Sequence, residues 1–162
     1  MLRSARPDEH DVVMEILGDA AAWLNARGIR QWSSPPPRGL WSLVEREIRK
    51  QQVYLARSVK DGQAVGMVRF EWTTPRLWRG YSDDAGYVYS LAIRSRVAGF
   101  GIGALILEWA KEHIRSQGKQ FIRLDCLATN LKIREYYEKL RFTFRGLATQ
   151  EDYHAALYEM RL

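Results

Sequence analysis

Arg96-Val97-Ala98-Gly99-Phe100-Gly101-Ile102-Gly103 joins two segments of different periodicity. Before it, Tyr87-Val88-Tyr89-Ser90-Leu91-Ala92-Ile93 is rich in aromatic and aliphatic residues and reads as a strand with both faces buried. After it, Ile102, Leu105, Ile106, Trp109 and Ile114 recur at helical spacing, and Ser116-Gln117-Gly118 closes the helix. From Gly86 to Gly118 the chain is therefore strand, glycine turn and helix. Glycines leave backbone N–H groups uncovered by side chains. Here they sit at the positive end of a helix dipole, a ready site for phosphate. A tight loop with no ligand uses the same residues, so the flanking chain must decide between the two.

On the N-terminal side, Leu2 to Ala5 predicts a short strand. Pro7-Asp8-Glu9 opens a helix whose apolar face is Val12, Val13, Ile16, Leu17, Ala20, Trp23 and Leu24, with Gly28 as its stop. Gln31 to Gly39 holds three consecutive prolines and reads as a stiff loop, followed by a helix over Leu40 to Lys50. Strands over Val53 to Val59 and Ala64 to Trp72 flank Asp61-Gly62, a hairpin signal. Pro75 to Ala85 is a polar and aromatic loop. On the C-terminal side follow a strand (Phe121 to Cys126), a helix (Asn130 to Leu140) and two strands (Phe142 to Leu147, His154 to Met160). The order β-α-α-β-β-β-α-β-α-β-β predicts one α+β domain over residues 1–162, with a mixed sheet of six to seven strands and four helices.

A chain of 162 residues supports a single domain with its own core. Hydrophobic and charged contents of 46% and 27% are those of a soluble globular protein. No run is long enough to span a membrane, and no secretory leader is legible, so a cytoplasmic location is expected. One cysteine, Cys126, permits neither an internal disulfide nor a cysteine-rich metal site. His10, His113 and His154 lack metal-ligand spacing, and no metal is expected. The net charge of +6 comes from basic residues spread along the chain, which speaks against a nucleic-acid partner.

The chain resembles the GNAT superfamily of acetyl-CoA-dependent N-acetyltransferases over essentially its whole length. One motif is the family's Arg/Gln-x-x-Gly-x-Gly/Ala turn, here Arg96, Gly99 and Gly101. The other is Asn130, Tyr137 seven positions later, and Phe142. One departure is Arg141, which stands where the family has a glycine before Phe142; the turn out of that helix is expected to differ locally.

The resemblance implies acetyl-CoA as donor and an amine of a small molecule or peptide as acceptor, by direct attack in a ternary complex. Main-chain N–H groups over Val97, Ala98, Gly99, Phe100, Gly101, Ile102, Gly103 and Ala104 would cradle the pyrophosphate. Arg96 would add a charge-assisted contact, or be a solvated loop arginine. Backbone groups of Leu91, Ala92 and Ile93 would receive the pantetheine arm and polarise the thioester carbonyl, while their side chains pack. Tyr137 is the expected general acid for the departing thiolate; Tyr136 is the competing candidate and is expected to pack. Asn130 would cap its helix and bond a pantetheine amide. The central strand carries no acid, so Glu71 on the preceding strand is the candidate base. Asp83 and Asp84 precede the central strand, and each of these acids is expected to be solvated rather than catalytic; an amine that arrives neutral, or loses its proton through water held by Ser90 or Tyr89, is the alternative.

Trp23, Trp32, Trp41, Trp72 and Trp78 all precede the central strand and offer an aromatic wall for an amine with an apolar body; core packing is the competing account. His113 is expected at the surface and Cys126 at a packed strand end. A homodimer is compatible with the resemblance. Two rivals stand beside it. Gly99, Gly101 and Ala104, with Asp125 ending the next strand about twenty residues on, fit a dinucleotide fingerprint, but Arg94 to Ala98 separates strand from glycine and too little chain follows. A catalytically inactive acyl-CoA-binding sensor or scaffold would share the cofactor site without turnover.

Overall fold

The computed structural model describes residues 1–162. The elements are β1 (Leu2–Ser4), α1 (His10–Asn25), α2 (Arg38–Arg49), β2 (Val53–Arg57), β3 (Ala64–Glu71), β4 (Ala85–Ile93), α3 (Ile102–Ser116), β5 (Phe121–Leu127), α4 (Leu131–Lys139), β6 (Thr143–Gln150) and β7 (Tyr153–Arg161). Short 3-10 turns occupy Pro7–Glu9, Arg76–Trp78 and Ser95–Val97. The seven strands form one sheet in the order β1-β2-β3-β4-β5-β7-β6. β4 and β5 run parallel, and β1–β2, β2–β3, β5–β7 and β6–β7 are antiparallel, so the sheet is mixed as expected. The chain divides into two compact units, residues 1–69 with 90–107, and residues 70–89 with 108–162.

In the first unit the apolar stripe of α1 (Val13, Ile16, Leu17, Ala20) joins Val44 and Ile48 of α2 over Val53, Leu55 and Met67 of β2 and β3. Each of these large aliphatic side chains contributes about 1.5–3 kcal/mol by leaving water. Beside this core the buried Glu9 carboxylate binds Arg3 of β1 and Arg57 of β2, and accepts the Arg6 N–H at 2.9 Å. That one side chain ties the first strand pair to the entrance of α1. At Gly66 of β3 an added Cβ would lie 2.8 Å from Ile93 Cδ1 and 3.0 Å from the Ala92 carbonyl oxygen; only glycine permits that approach.

In the second unit Trp78, Ala85, Tyr87, Ala155 and Leu157 form the core. Arg123 of β5 is buried among aromatic rings, 5.2 Å from the Trp78 centroid and 5.4 Å from that of Tyr81. Its guanidinium donates to Glu159, to the Ser82 carbonyl and hydroxyl, and to the Tyr87 hydroxyl. A buried charge is tolerable when paired and hydrogen-bonded in this way. The arrangement fastens the loop that leads into β4.

Several expectations need correction. α2 begins at Arg38 and includes Gly39, because Pro37, in extended conformation, serves as its N-cap. His113 is not a surface residue: it is half-buried, stacked on Trp109 at 4.9 Å and packed against Phe70 and Trp72. The turn after α4 keeps its left-handed form without glycine, since Arg141 itself adopts φ 68°. The Phe142 N–H then closes on the Tyr137 carbonyl at 3.0 Å.

Candidate active site

The β4–β5 ladder runs from Ala85↔Phe121 to Val88↔Leu124, and β4 then continues to Ile93. Ser90 adopts φ 50°, and from Tyr89 to Leu91 the run of buried residues gives way to half-buried ones. Ala92 stays buried in the first core, and Ile93 packs over Gly66. The Ala92 and Ile93 side chains of this strand end therefore pack.

The chain leaves β4 through the Ser95–Val97 turn. Asp19 of α1 holds that turn, accepting the Ser95 N–H at 2.6 Å and the Ser95 hydroxyl at 2.8 Å. Gly99 and Gly101 follow at φ 86° and 76°, values that other residues adopt only at a cost. The first α-helical bond of α3 is Leu105 N–H to Gly101 carbonyl. The N–H groups of Gly99, Gly101, Ile102, Gly103 and Ala104 consequently have no acceptor in the protein. Five free donors at the start of a fifteen-residue helix fit a phosphate-bearing cofactor.

The donor set is narrower than Val97 to Ala104. Val97 and Ala98 donate within the turn, to the Arg94 and Ser95 carbonyls, and the Phe100 N–H approaches the Val97 carbonyl at 3.5 Å. Phe100 itself is 78% exposed. Arg96 is exposed; it donates to Gln63 Oε1 at 2.7 Å and lines a cavity with Arg57 and Arg94.

In the second unit, Asn130 caps α4 by accepting the Ile133 N–H at 3.3 Å, which leaves its NH2 without a protein partner. Tyr137, on α4, is 7% exposed and packs against Tyr136, Phe142 and Tyr158. Its hydroxyl makes no hydrogen bond within the protein. Burial, with smaller contributions from Cys126, Tyr136 and Asp125, holds the phenol far above its ordinary range, so it carries its proton at neutral pH. A protonated hydroxyl with no partner in the protein is free to donate to a ligand.

Glu71 is occupied locally. Its Oε1 accepts the Trp72 N–H at 3.2 Å and the Thr73 hydroxyl at 2.9 Å, holding the turn after β3. Cys126 is fully buried, and burial together with the neighbouring Asp125 carboxylate pushes its thiol up to about 12. It is a packed strand residue, and a poor nucleophile. Asp125 enters the sequence reading only as the acid of the dinucleotide-like pattern, not as a residue of an acetyltransferase site. It is half-buried and accepts the Tyr153 hydroxyl at 3.0 Å. The strand alternates and already carries Arg123, so a second charged residue on it gives no signal of a site.

The five tryptophans do not form one wall. Trp32 lines a cavity of about 240 Å³ with Leu17, Ala21, Pro36, Leu40 and Ser90. Trp78 is core, Trp23 lies under the Arg27 guanidinium, Trp41 packs on His10, and Trp72 stacks on Phe70. No helix is long and apolar enough to cross a membrane.

The sequence model of the acetyltransferase (GNAT) family matches residues 18–142. An uncharacterised N-acetyltransferase, YesJ of Bacillus subtilis (strain 168), is 29% identical over 150 residues, covering 91% of this chain and 83% of that protein. The crystal structure of a GNAT-family acetyltransferase from Listeria monocytogenes 4b F2365 superposes with a TM-score of 0.82 at 23% identity, over 100% of this chain and 94% of that one. That of PaiA N-acetyltransferase from Thermoplasma acidophilum, in complex with coenzyme A, does so with a TM-score of 0.73 at 15% identity, over 100% and 98%. The family match spans most of the strand, turn and helix framework described above. The chain is an acyltransferase and belongs to the GNAT family of acetyltransferases.

Proposed function

We propose that the protein transfers an acetyl group from acetyl-CoA to a primary amine carried on a compact apolar body, by direct attack while both substrates are bound. The observation that carries this reading is the row of unpaired N–H donors at Gly99 and Gly101 to Ala104. These donors would bind the pyrophosphate, aided by the α3 dipole. Acetyl-CoA supplies the activated acetyl thioester. Backbone groups of Leu91, Ala92 and Ile93 would hold its pantetheine arm, with the free NH2 of Asn130 as a further donor. Tyr137 would protonate the departing sulfur. The inert Cys126 thiol favours direct transfer over an acetyl-enzyme.

The acceptor's body would occupy the cavity beside Trp32. Apart from Gln31, Ser33 and Ser90, its lining is apolar, and it contains no charged side chain. That lining suits an apolar amine better than a polyamine or an amino sugar, whose further polar groups would be left unpaired.

The test is acetyl transfer from acetyl-CoA to 2-phenylethylamine and spermidine by wild type and Tyr137→Phe. Phenylalanine keeps the ring packing and removes the proton. The expected result is a kcat lower by about a hundredfold, with acetyl-CoA affinity changed by less than about twofold. Equal turnover by the two proteins would remove Tyr137 from the mechanism. Cofactor binding with no transfer to any amine would favour the inactive sensor.

A further inference from the structure

Each fully buried acid in this protein has at least two cations. Glu9 has Arg3, Arg6 and Arg57, Glu47 has Arg46, Lys50 and Arg69, and Glu159 has Arg123 and Arg145. Asp125 is different. It lies half-buried on β5, and its one hydrogen-bond partner is the Tyr153 hydroxyl on β7. No lysine, arginine or histidine pairs with it. Arg123, two positions earlier on the same face of β5, is committed to Glu159, Ser82 and Tyr87. In a chain of net charge +6, a half-buried carboxylate with no cation of its own is an unbalanced charge that a cationic ligand would complete.

Its position suits such a ligand. Asp125 stands opposite Leu157 on β7, on the face that carries Tyr153. Tyr137 packs on Tyr158, whose side chain belongs to the other face of β7. Asp125 is nevertheless near enough to act electrostatically on the Tyr137 phenol. The expected acid and this carboxylate thus approach the same strand end from opposite faces of the sheet.

We propose that Asp125 receives the protonated amine of the acceptor and takes its proton, with Tyr153 orienting the carboxylate. The inference rests on the acetyltransferase reading above. One N–H proton passes to Asp125, and the freed nitrogen lone pair forms the C–N bond as the thioester C–S bond breaks. Tyr137 protonates the sulfur and recovers a proton from the new amide nitrogen. An ammonium and a thioester give an amide, a thiol and one proton, which leaves Asp125 for solvent. Burial raises the Asp125 carboxyl above its ordinary value of 3.8, making it a stronger base, while the Tyr153 bond opposes that rise. The titratable groups around it are Tyr153, Tyr137 and Cys126, all raised and all uncharged at neutral pH.

The test compares wild type with Asp125→Asn, each saturated with CoA and titrated with 2-phenylethylammonium chloride or with the uncharged 2-phenylethanol. Wild type is expected to prefer the ammonium by about tenfold or more, and Asp125→Asn to lose that preference. In turnover with acetyl-CoA, Asp125→Asn should lower kcat/KM for the amine by about a hundredfold with little change in acetyl-CoA affinity. Its melting temperature at pH 7 should equal or exceed that of wild type, since asparagine keeps the Tyr153 bond and removes a buried charge; a purely structural aspartate would give a drop. A wild-type protein that binds CoA but does not prefer the ammonium overturns the proposal. So does loss of amine turnover in Glu71→Gln with Asp125→Asn unaffected. Failure to bind CoA at all would instead strike the acetyltransferase reading.

Discussion

The Asp19 carboxylate of α1 accepts both the backbone N–H and the hydroxyl of Ser95, at 2.6 and 2.8 Å, across 76 residues of sequence. That double contact fixes the turn from which Gly99 and Gly101 emerge. Hydrogen bonds to a charged group are worth about 1.5–3 kcal/mol each, and part of that loss should appear as misplaced donors. Asp19→Ala is therefore expected to weaken acetyl-CoA binding by about tenfold in calorimetry, with helix content by circular dichroism unchanged. Unaltered affinity would mean that the turn holds its form without the clamp.

The thiol of Cys126, pushed up to about 12, is almost wholly protonated at pH 7.5. Cys126→Ala should keep turnover within about twofold. Incubating the wild type with acetyl-CoA should leave its mass unchanged, and initial-rate plots should intersect as for a ternary complex. An acetylated protein in the mass spectrum would contradict direct transfer.

Arg141 holds φ 68° at the end of α4, a conformation costing a side chain about 1–2 kcal/mol. Glycine relieves that strain but loosens the unfolded chain. Arg141→Gly should gain about 0.5–1 kcal/mol, read as a higher urea midpoint at constant m. A lower midpoint would show that the arginine side chain contributes more than the strain it imposes.

The Arg3 hydrogen bond, followed by those of Arg6 N–H and Arg57, lowers the Glu9 carboxyl from 4.5 to about 2 against the opposing effect of burial. A depressed acid stabilises the fold above its unfolded value. The contribution is present above pH 4.5 and is lost as pH falls toward 2. Glu9→Gln is expected to cost about 3 kcal/mol at pH 7 by urea titration, with the gap to wild type narrowing below pH 4.5. A gap independent of pH would mean that packing, not charge, is what the substitution removes.

Alternation and 3–4 spacing were enough to place the strands and helices, because side-chain polarity reports directly which face is buried. The start of α2 was less legible: Gly39 after a proline run reads as loop, and only the extended Pro37 shows that a helix begins behind it. Arg141 was read as a changed turn, whereas the backbone kept the turn and accepted the strain. At Gly99 to Ala104 the glycines were legible, but the spending of the Val97 and Ala98 N–H groups inside the turn was not. Asp19–Ser95 and Tyr153–Asp125 are side-chain pairs far apart in the chain, and no local pattern announces such pairs. The tryptophans and His113 make the same point. Their size was visible, but whether each ring lines a cavity or fills the core depends on neighbours that the sequence does not place beside it.

Calorimetric titration with acetyl-CoA at moderate salt, with NAD as the control, is the most direct test of the cofactor site. Saturable binding of acetyl-CoA near the micromolar range, with none of NAD, is the expected result. Absence of acetyl-CoA binding, or binding of NAD in its place, would contradict the assignment of Gly99 and Gly101 to Ala104 as the pyrophosphate cradle of an acetyltransferase.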